Sequence, residues 1–169
     1  MRLTEIRWHA RAGQGAKTAA QTLALALLRS GRSVQAFPEY GPERRGAPLR
    51  AFTRVADRPI RRHDGVTDPD LVVVLEASLV GEADVAEGLK PEGVVLVNGA
   101  EPPAALTGLN VRCVPAERNT NLVMVGAVAA ELGEPPLAAL QAAAVDELGG
   151  KLAADDIRAA VEEGYRCLA

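Results

Sequence analysis

The amino-acid sequence predicts an α/β fold of the Rossmann-like, doubly wound type, with a mostly parallel sheet, an antiparallel edge strand and a helical C-terminal third. Three observations lead to this prediction. Strand and helix patterns alternate through the first two-thirds of the chain, a glycine turn joins the first strand to the first helix, and the last third has helical periodicity. The 169 residues can bury one full hydrophobic core, so we expect a single domain, 1–169.

The first three elements form a strand–helix–strand unit. "LTEIRWH" (3–9) alternates as a strand does, with Ile6 and Trp8 on the face opposite its charged residues. "KTAAQTLALALLRSG" (17–31) has apolar residues at helical spacing and a glycine as its stop, and "SVQAF" (33–37) follows at once as a second strand. The crossover of such a unit is expected to be right-handed.

The middle of the chain is predicted to add four strands and a helix. "PLRAFTRVAD" (48–57) alternates apolar and polar residues, which favours a strand at or near a sheet edge with one face partly in water. "DLVVVLE" (70–76) and "GVVLVN" (93–98) are continuous apolar runs typical of central strands, and "NVRCVPA" (110–116) is a further short strand. Between them, "SLVGEADVAEGLK" (78–90) is predicted to be helical.

Three helices are predicted in the last third. "NLVMVGAVAAELG" (121–133) has Asn119 or Thr120 as its cap and a glycine as its stop. "PPLAALQAAAVDELGG" (135–150) begins with proline and ends with glycine, and "ADDIRAAVEEGYRCLA" (154–169) closes the chain.

Composition argues against several classes of function. The longest apolar runs are too short to cross a bilayer and the chain opens without a secretion-signal pattern, so we expect a cytoplasmic protein without membrane contact. Cys113 and Cys167 are too few for a disulfide framework or a metal site on this chain. Five aromatic residues, none grouped as a stacking platform, argue against nucleic-acid binding.

The first candidate site is the glycine turn in "HARAGQGAKT" (9–18). Free backbone N–H groups at Gly13, Gln14 and Gly15, reinforced by the helix dipole, could hold a phosphate or another anion. The spacing matches neither a P-loop nor a dinucleotide fingerprint, so a tight turn without a ligand is the alternative. The amide of Gln14 is placed to hydrogen-bond a ligand or a partner chain.

The second candidate site is the turn in "FPEYGPERRGAPLRAFTRV". Residues 44–62 hold seven arginines against one aspartate, in a chain whose net charge is −3. Arg44 and Arg45, held by Pro42 and Gly46, are predicted to present guanidinium groups to a carboxylate or phosphate, on a ligand or on a neighbouring subunit. The alternative is a solvated turn before an arginine-faced edge strand, where positive charge discourages aggregation.

A third, weaker candidate is the pair Asn119 and Asn121, which are explained most simply as helix caps but border the expected crevice at the strand ends. No nucleophile with a neighbouring base is visible, and His9 is interpreted as a satisfied strand-end histidine. We therefore expect no catalytic residue on this chain.

Three ordered stretches together carry a family signature. "EIRWHARAGQGAKTAA", "FPEYGPERRGAPLRAFTRVADRPI" and "ERNTNLVMVGAVA" resemble the gamma subunit, or fused gamma domain, of 2-oxoacid:ferredoxin oxidoreductases, above all the pyruvate enzyme. The family loop after the first strand reads approximately G-R-G-G-Q-G, and here Ala10 and Ala12 replace two of its glycines while Gly13, Gln14 and Gly15 match.

The resemblance implies a subunit of an enzyme that converts pyruvate or a related 2-oxoacid to acyl-CoA and CO2 while reducing ferredoxin. It implies alpha, beta and delta-type partner subunits, with thiamine diphosphate, Mg2+ and iron–sulfur clusters held elsewhere in the complex and coenzyme A as the acyl acceptor. The isolated chain is expected to be inactive and could self-associate as a homo-oligomer. The alternative is a free-standing module that binds phosphate or a nucleotide in the first glycine turn. The resemblance leaves the particular 2-oxoacid open.

Overall fold

The computed structural model describes residues 2–39, 41 and 44–169, and these residues form six strands and four α-helices. The strands are β1 Leu3–Arg11, β2 Ser33–Pro38, β3 Pro48–Ala56, β4 Leu71–Val74, β5 Val94–Asn98 and β6 Asn110–Val114. The helices are α1 Ala16–Arg29, α2 Thr120–Leu132, α3 Leu137–Leu148 and α4 Ala154–Leu168.

The strands form one mixed sheet in the order β2-β3-β1-β4-β5-β6. Strands β1, β4, β5 and β6 are mutually parallel, whereas β3 is antiparallel to both of its neighbours. The predicted α/β class is confirmed. The antiparallel strand lies one position in from the edge, because β2 pairs with the outer side of β3 and so runs parallel to β1 without touching it.

The two faces of the sheet are covered differently. All four α-helices pack on one face, where Ile6 and Trp8 of β1 join the main hydrophobic core. The other face is covered by a thinner layer that includes two 3-10 turns, Ala77–Gly81 and Ala104–Leu106, whose apolar residues pack on β4 and β5. The segments between the parallel strands therefore build this second layer without an α-helix in the described residues.

The helix predicted over 78–90 is wrong. Only the 3-10 turn Ala77–Gly81 forms, followed by a series of short turns. The buried residues Leu79, Val80 and Val85 do not share one helical stripe, and Gly88 adopts a left-handed φ of 71° beside the backbone of the chain segment before β4. The positions that anchor the segment therefore favour turns over a helix.

The face of β3 that was expected to lie partly in water is largely covered. Arg54 is fully buried, and its Nε donates to Oε1 of Glu5 at 2.8 Å across the β1–β3 ladder. On the same face, Arg7 donates to the backbone carbonyls of Val66 and Val85. Glu5 of β1 and the loops that cover this face supply the acceptors, so the buried cations are satisfied.

Candidate functional site

The glycine turn after β1 is a tight, internally bonded loop. Gly13 and Gly15 have φ values of 91° and 83°, a region that glycine reaches without strain. The backbone N–H of Arg11 donates to Oε1 of Gln14 at 2.7 Å, and the N–H of Gln14 donates to the carbonyl of Arg11 at 3.1 Å. Gly15 then opens α1, and no side chain caps that helix. The N–H of Gln14, which was expected to be free for an anion, is therefore engaged within the loop, whereas the first-turn N–H groups of α1 have no side-chain cap.

A charged network fixes this loop to the chain beyond β4. The guanidinium group of Arg11 bonds Glu76 at 3.0 Å and Glu82 at 2.6 Å. Hydrogen bonds from Ser78, Arg11 and the side-chain amide of Gln14 hold the pKa of Glu76 below its usual value. Both ends of the Gln14 amide are therefore engaged within the chain, and its role towards a ligand or a partner stays a prediction.

The arginine turn lies directly beside the glycine turn. The N–H of Ala12 donates to the carbonyl of Ala47 at 2.9 Å, and Nη1 of Arg11 donates to the carbonyl of Gly46 at 3.3 Å. Gly46 has a φ of 79°, and Arg44 and Arg45 are exposed. Two segments that are separate in sequence thus form one surface at the carboxyl end of β1. Pro42, which was predicted to help hold the turn, and its neighbour Glu43 lie outside the described residues.

A cavity of about 740 Å³ lies between these two turns. Its charged lining comes from Lys17, Arg44, Arg50 and Glu39. Arg50 is already paired with Glu39, with Nη2 and Oε1 2.6 Å apart. The cavity has the size of a small-molecule site and a cationic bias, so it fits an anionic group of a ligand or of a partner chain.

Asn119 and Asn121 both reach this end of the sheet, and Asn119 is the N-cap residue of α2, one of the two predicted positions. Asn119 occupies the position before α2 with a left-handed φ of 48°, and no side chain caps that helix. Asn121 packs on the glycine turn so closely that a Cβ at Gly15 would lie 2.6 Å from its Nδ2. Asn119 thus caps α2 by its position but not through its side chain, and a role of Asn121 towards a ligand stays a prediction.

Sequence reasoning missed Arg11, Glu76 and Glu82, which hold the two turns in place. Arg11 extends β1 beyond the predicted end at residue 9, and Glu76 follows the β4 strand. Opposite charges at the carboxyl ends of neighbouring parallel strands lie close together, so the pair Arg11 and Glu76 was the available signal.

His9 is buried, and its Nε2 accepts a hydrogen bond from Nε of Arg7 at 3.0 Å. Burial and the charges of Arg7 and Arg50 lower the pKa of His9 to about 3, so its ring is neutral at pH 7. Within the described residues, no cluster of three or more His, Cys, Asp or Glu side chains could hold a metal ion. No helix in the described part of the chain is long and apolar enough to cross a membrane.

The fold and this site can be compared with known proteins. The family model described as pyruvate ferredoxin/flavodoxin oxidoreductase matches residues 5–167. The chain belongs to this family. Within the pyruvate ferredoxin/flavodoxin oxidoreductase family, the common gamma subunit of the pyruvate/ketoisovalerate oxidoreductases of Pyrococcus furiosus is 40% identical over 95% of each chain.

Two solved structures have the same fold as this chain. The PorC subunit of the Thermotoga maritima pyruvate oxidoreductase has a TM-score of 0.81 and 36% identity, covering 98% of this chain and 97% of that one. A 2-oxoglutarate:ferredoxin oxidoreductase from Magnetococcus marinus shares the fold alone, with a TM-score of 0.73 and 19% identity over 98% of this chain and 30% of that chain. The prediction of a gamma-type oxidoreductase subunit is confirmed.

Proposed function

We propose that this chain, acting as a single domain, is the gamma subunit of a complex that oxidatively decarboxylates pyruvate or a related 2-oxoacid. The products are acyl-CoA and CO2, with electrons passed to ferredoxin, and the partners are alpha, beta and delta-type subunits. The observation that carries the proposal is the likeness over nearly the full length of both chains to the PorC subunit from Thermotoga maritima. Alone, the chain is expected to be inactive.

The redox and decarboxylation cofactors are assigned to the partner subunits. An iron–sulfur cluster takes about four cysteine ligands, whereas this sequence has two, Cys113 and Cys167, far apart in the chain. The donor groups of the described residues also do not fit the Mg2+ that accompanies thiamine diphosphate, because they form no suitable cluster. The contribution of this chain is accordingly binding and positioning.

The surface that makes this contribution is the pair of turns at the carboxyl end of β1. The glycine turn 13–15 presents the uncapped start of α1, and Arg44 and Arg45 are exposed on the adjoining turn. Backbone N–H groups and guanidinium groups are suited to phosphate and carboxylate. We assign this surface to coenzyme A or to an acidic segment of a partner subunit, with Asn121 supporting the glycine turn.

The experiment is reconstitution of the complex with a double Arg44→Ala, Arg45→Ala variant. Loss of two exposed cations is expected to weaken assembly, or to raise the Michaelis constant for coenzyme A, by about tenfold. The matched control is Arg58→Ala, Arg61→Ala, which removes the same charge from exposed positions of the same basic stretch. If the two double variants assemble equally well and have the same Michaelis constant for coenzyme A, Arg44 and Arg45 belong to a solvated turn without a binding role.

The subunit role itself is tested by leaving the chain out. A complex of the partner subunits that keeps full 2-oxoacid-dependent ferredoxin reduction without it would overturn the proposal. The alternative of a free-standing phosphate-binding module gains no support from the family comparisons, and calorimetric titration of the isolated chain with coenzyme A and nucleotides checks it directly.

A further inference from the structure

A second, smaller cavity lies on the opposite side of β1 and β3 from the helices. Its volume is about 220 Å³, and its lining includes His9, Arg50, Leu79, Asp84 and Glu87. Since a water molecule in the liquid takes about 30 Å³, this space suits roughly seven waters or one small organic group, and it is below the size of a cofactor site.

His9 lines this cavity, and only one of its two ring nitrogens has a hydrogen-bond partner in the described residues. The residue is 6% exposed, and its Nε2 accepts the Nε–H of Arg7 at 3.0 Å. Because arginine only donates, Nε2 must carry the lone pair, and the proton of the neutral ring sits on Nδ1. Within the described residues Nδ1 has no hydrogen-bond partner, so the structure leaves an N–H donor for an occupant of the cavity.

Arg50 places a second donor beside it. The β1–β3 ladder sets Arg50 directly opposite His9, so both side chains stand on the same face. Nε and Nη2 of Arg50 are bonded to Glu39, and no partner for Nη1 is found in the described part of the chain. The lining of the cavity thus includes a neutral donor, His9, and a cationic donor, Arg50.

The remaining lining decides which acceptor fits. Leu79 is buried and supplies an apolar wall, whereas three carboxylates also line the cavity: the exposed Asp84 and Glu87, and Glu39, which is bonded to Arg50. Three carboxylates repel a multiply charged anion such as phosphate more strongly than a singly charged one. The two donors and these acids together favour a group that carries no more than one negative charge and has two acceptor oxygens.

We propose that this cavity binds a carboxylate group between His9 and Arg50, supplied either by a small monocarboxylic acid or by an Asp or Glu side chain of a partner subunit. One carboxylate oxygen accepts the Nδ1–H of His9 and the other accepts Nη1–H of Arg50. The apolar part of the ligand lies against Leu79. This site does not rest on the function proposed above, because it can be measured on the chain alone.

The test is proton–nitrogen NMR of the full chain with labelled histidine, titrated with sodium acetate and then with isovalerate. A saturable shift of the Nδ1–H signal of His9 is expected, with isovalerate the tighter ligand because it adds apolar contact. Inorganic phosphate at matched ionic strength should give no saturable shift. Absence of saturation with both acids, or equal binding of phosphate, would overturn the proposal.

Two variants test whether His9 and Arg50 bind the carboxylate. His9→Leu removes the N–H donor to the cavity, and Arg50→Gln removes the cation; each is expected to weaken isovalerate binding, measured by calorimetric titration, about tenfold or more. Arg112→Gln, a cation lost from β6, is the control and should bind as wild type. If His9→Leu fails to fold, the Arg50→Gln titration and the wild-type histidine signal still decide.

The assembled complex distinguishes the two sources of the carboxylate. If a partner side chain fills the cavity, the His9 signal of the complex is already shifted and added acetate leaves it unchanged. If the ligand is a free acid, the complex responds to isovalerate as the isolated chain does. A His9 signal in the complex that is neither shifted nor responsive contradicts both.

Discussion

The guanidinium group of Arg54 has no access to solvent, so its charge must be stabilised by the groups that the fold places around it. Nε bonds Glu5 at 2.8 Å, Nη2 bonds the carbonyl of Gly65 at 3.2 Å, and the guanidinium group lies 5.7 Å from the ring centroid of Phe37. A buried pair of this kind adds little net stability compared with apolar residues, but removing one member leaves an uncompensated charge.

Glu5→Gln is therefore expected to lower the free energy of unfolding by about 3 kcal/mol, because buried Arg54 then keeps only the exposed Asp64, 3.6 Å from its Nη2, as a counter-charge. The control is Asp146→Asn, which breaks the exposed pair with Arg29 and should cost less than about 1 kcal/mol. Chemical denaturation of both variants measures the difference. Equal losses would mean that water reaches Arg54.

The neutral ring of His9 predicts a pH dependence of stability. Its pKa is about 3 in the folded chain against an ordinary value of 6.5, so the unfolded chain binds the proton first as pH falls. The contribution of the neutral His9 ring to the free energy of unfolding is fully present above about pH 6.5, and it is lost as the pH falls from there towards 3. Between pH 6 and pH 5 the wild type should lose about 1 kcal/mol more than His9→Gln. Parallel pH profiles of the two proteins would contradict this.

At the scale of elements, α2 and α4 approach each other through glycines. A Cβ at Gly126 would lie 2.0 Å from the carbonyl oxygen of Val161, and one at Gly164 would lie 1.7 Å from that of Val123. Each helix thus presents a glycine to the backbone of the other, which lets the two helices pack backbone to backbone.

Gly164→Ala is expected to force these helices apart, since the clash is with backbone and cannot be relieved by a rotamer change. Overpacking of this kind costs about 1–3 kcal/mol or more, a fall of roughly 3–10 °C in the melting temperature of a domain this size. Gly150→Ala, where a Cβ would meet nothing within 4 Å, is the matched control. Scanning calorimetry of both variants checks the prediction, and an unchanged Gly164→Ala midpoint would refute it.

Element type could be predicted where one local pattern dominates. The continuous apolar runs at 70–76 and 93–98 contain β4 and β5, and the helical periodicity of the last third located α2 to α4 to within a few residues. The covering of Arg7 and Arg54 could not be predicted, because it depends on loop carbonyls whose contacts are long-range in sequence. An alternation of charged and apolar residues is typical of a strand with one solvent-exposed face, but here segments distant in sequence bury the charged side chains of Arg7 and Arg54.

At the scale of the whole molecule, the candidate site depends on three segments that are remote in sequence. Arg11 ends β1, Gly46 belongs to the arginine turn, and Glu76 follows β4, yet all three meet in one hydrogen-bonded network with Gln14. The sheet order makes this possible, because β1 lies between β3 and β4. The two candidate turns could each be predicted from their glycines, whereas the network that joins them required the strand order.

Glu76→Gln tests whether this network holds the glycine turn in its shape. Arg11 and the Gln14 amide both donate to the carboxylate of Glu76. A neutral amide at position 76 weakens the ionic bond to Arg11, and its NH2 group replaces one of the two acceptor oxygens, so that one donor faces another donor. Backbone amide exchange at Arg11 and Gln14, whose N–H groups are bonded only within the loop, should become several-fold faster. The control, Glu92→Gln at an exposed position, should leave both rates unchanged. If amide exchange in the loop is as slow in Glu76→Gln as in wild type, the prediction is wrong. The glycine turn then keeps its shape without the bonds to Glu76, and β1 and α1 alone hold it.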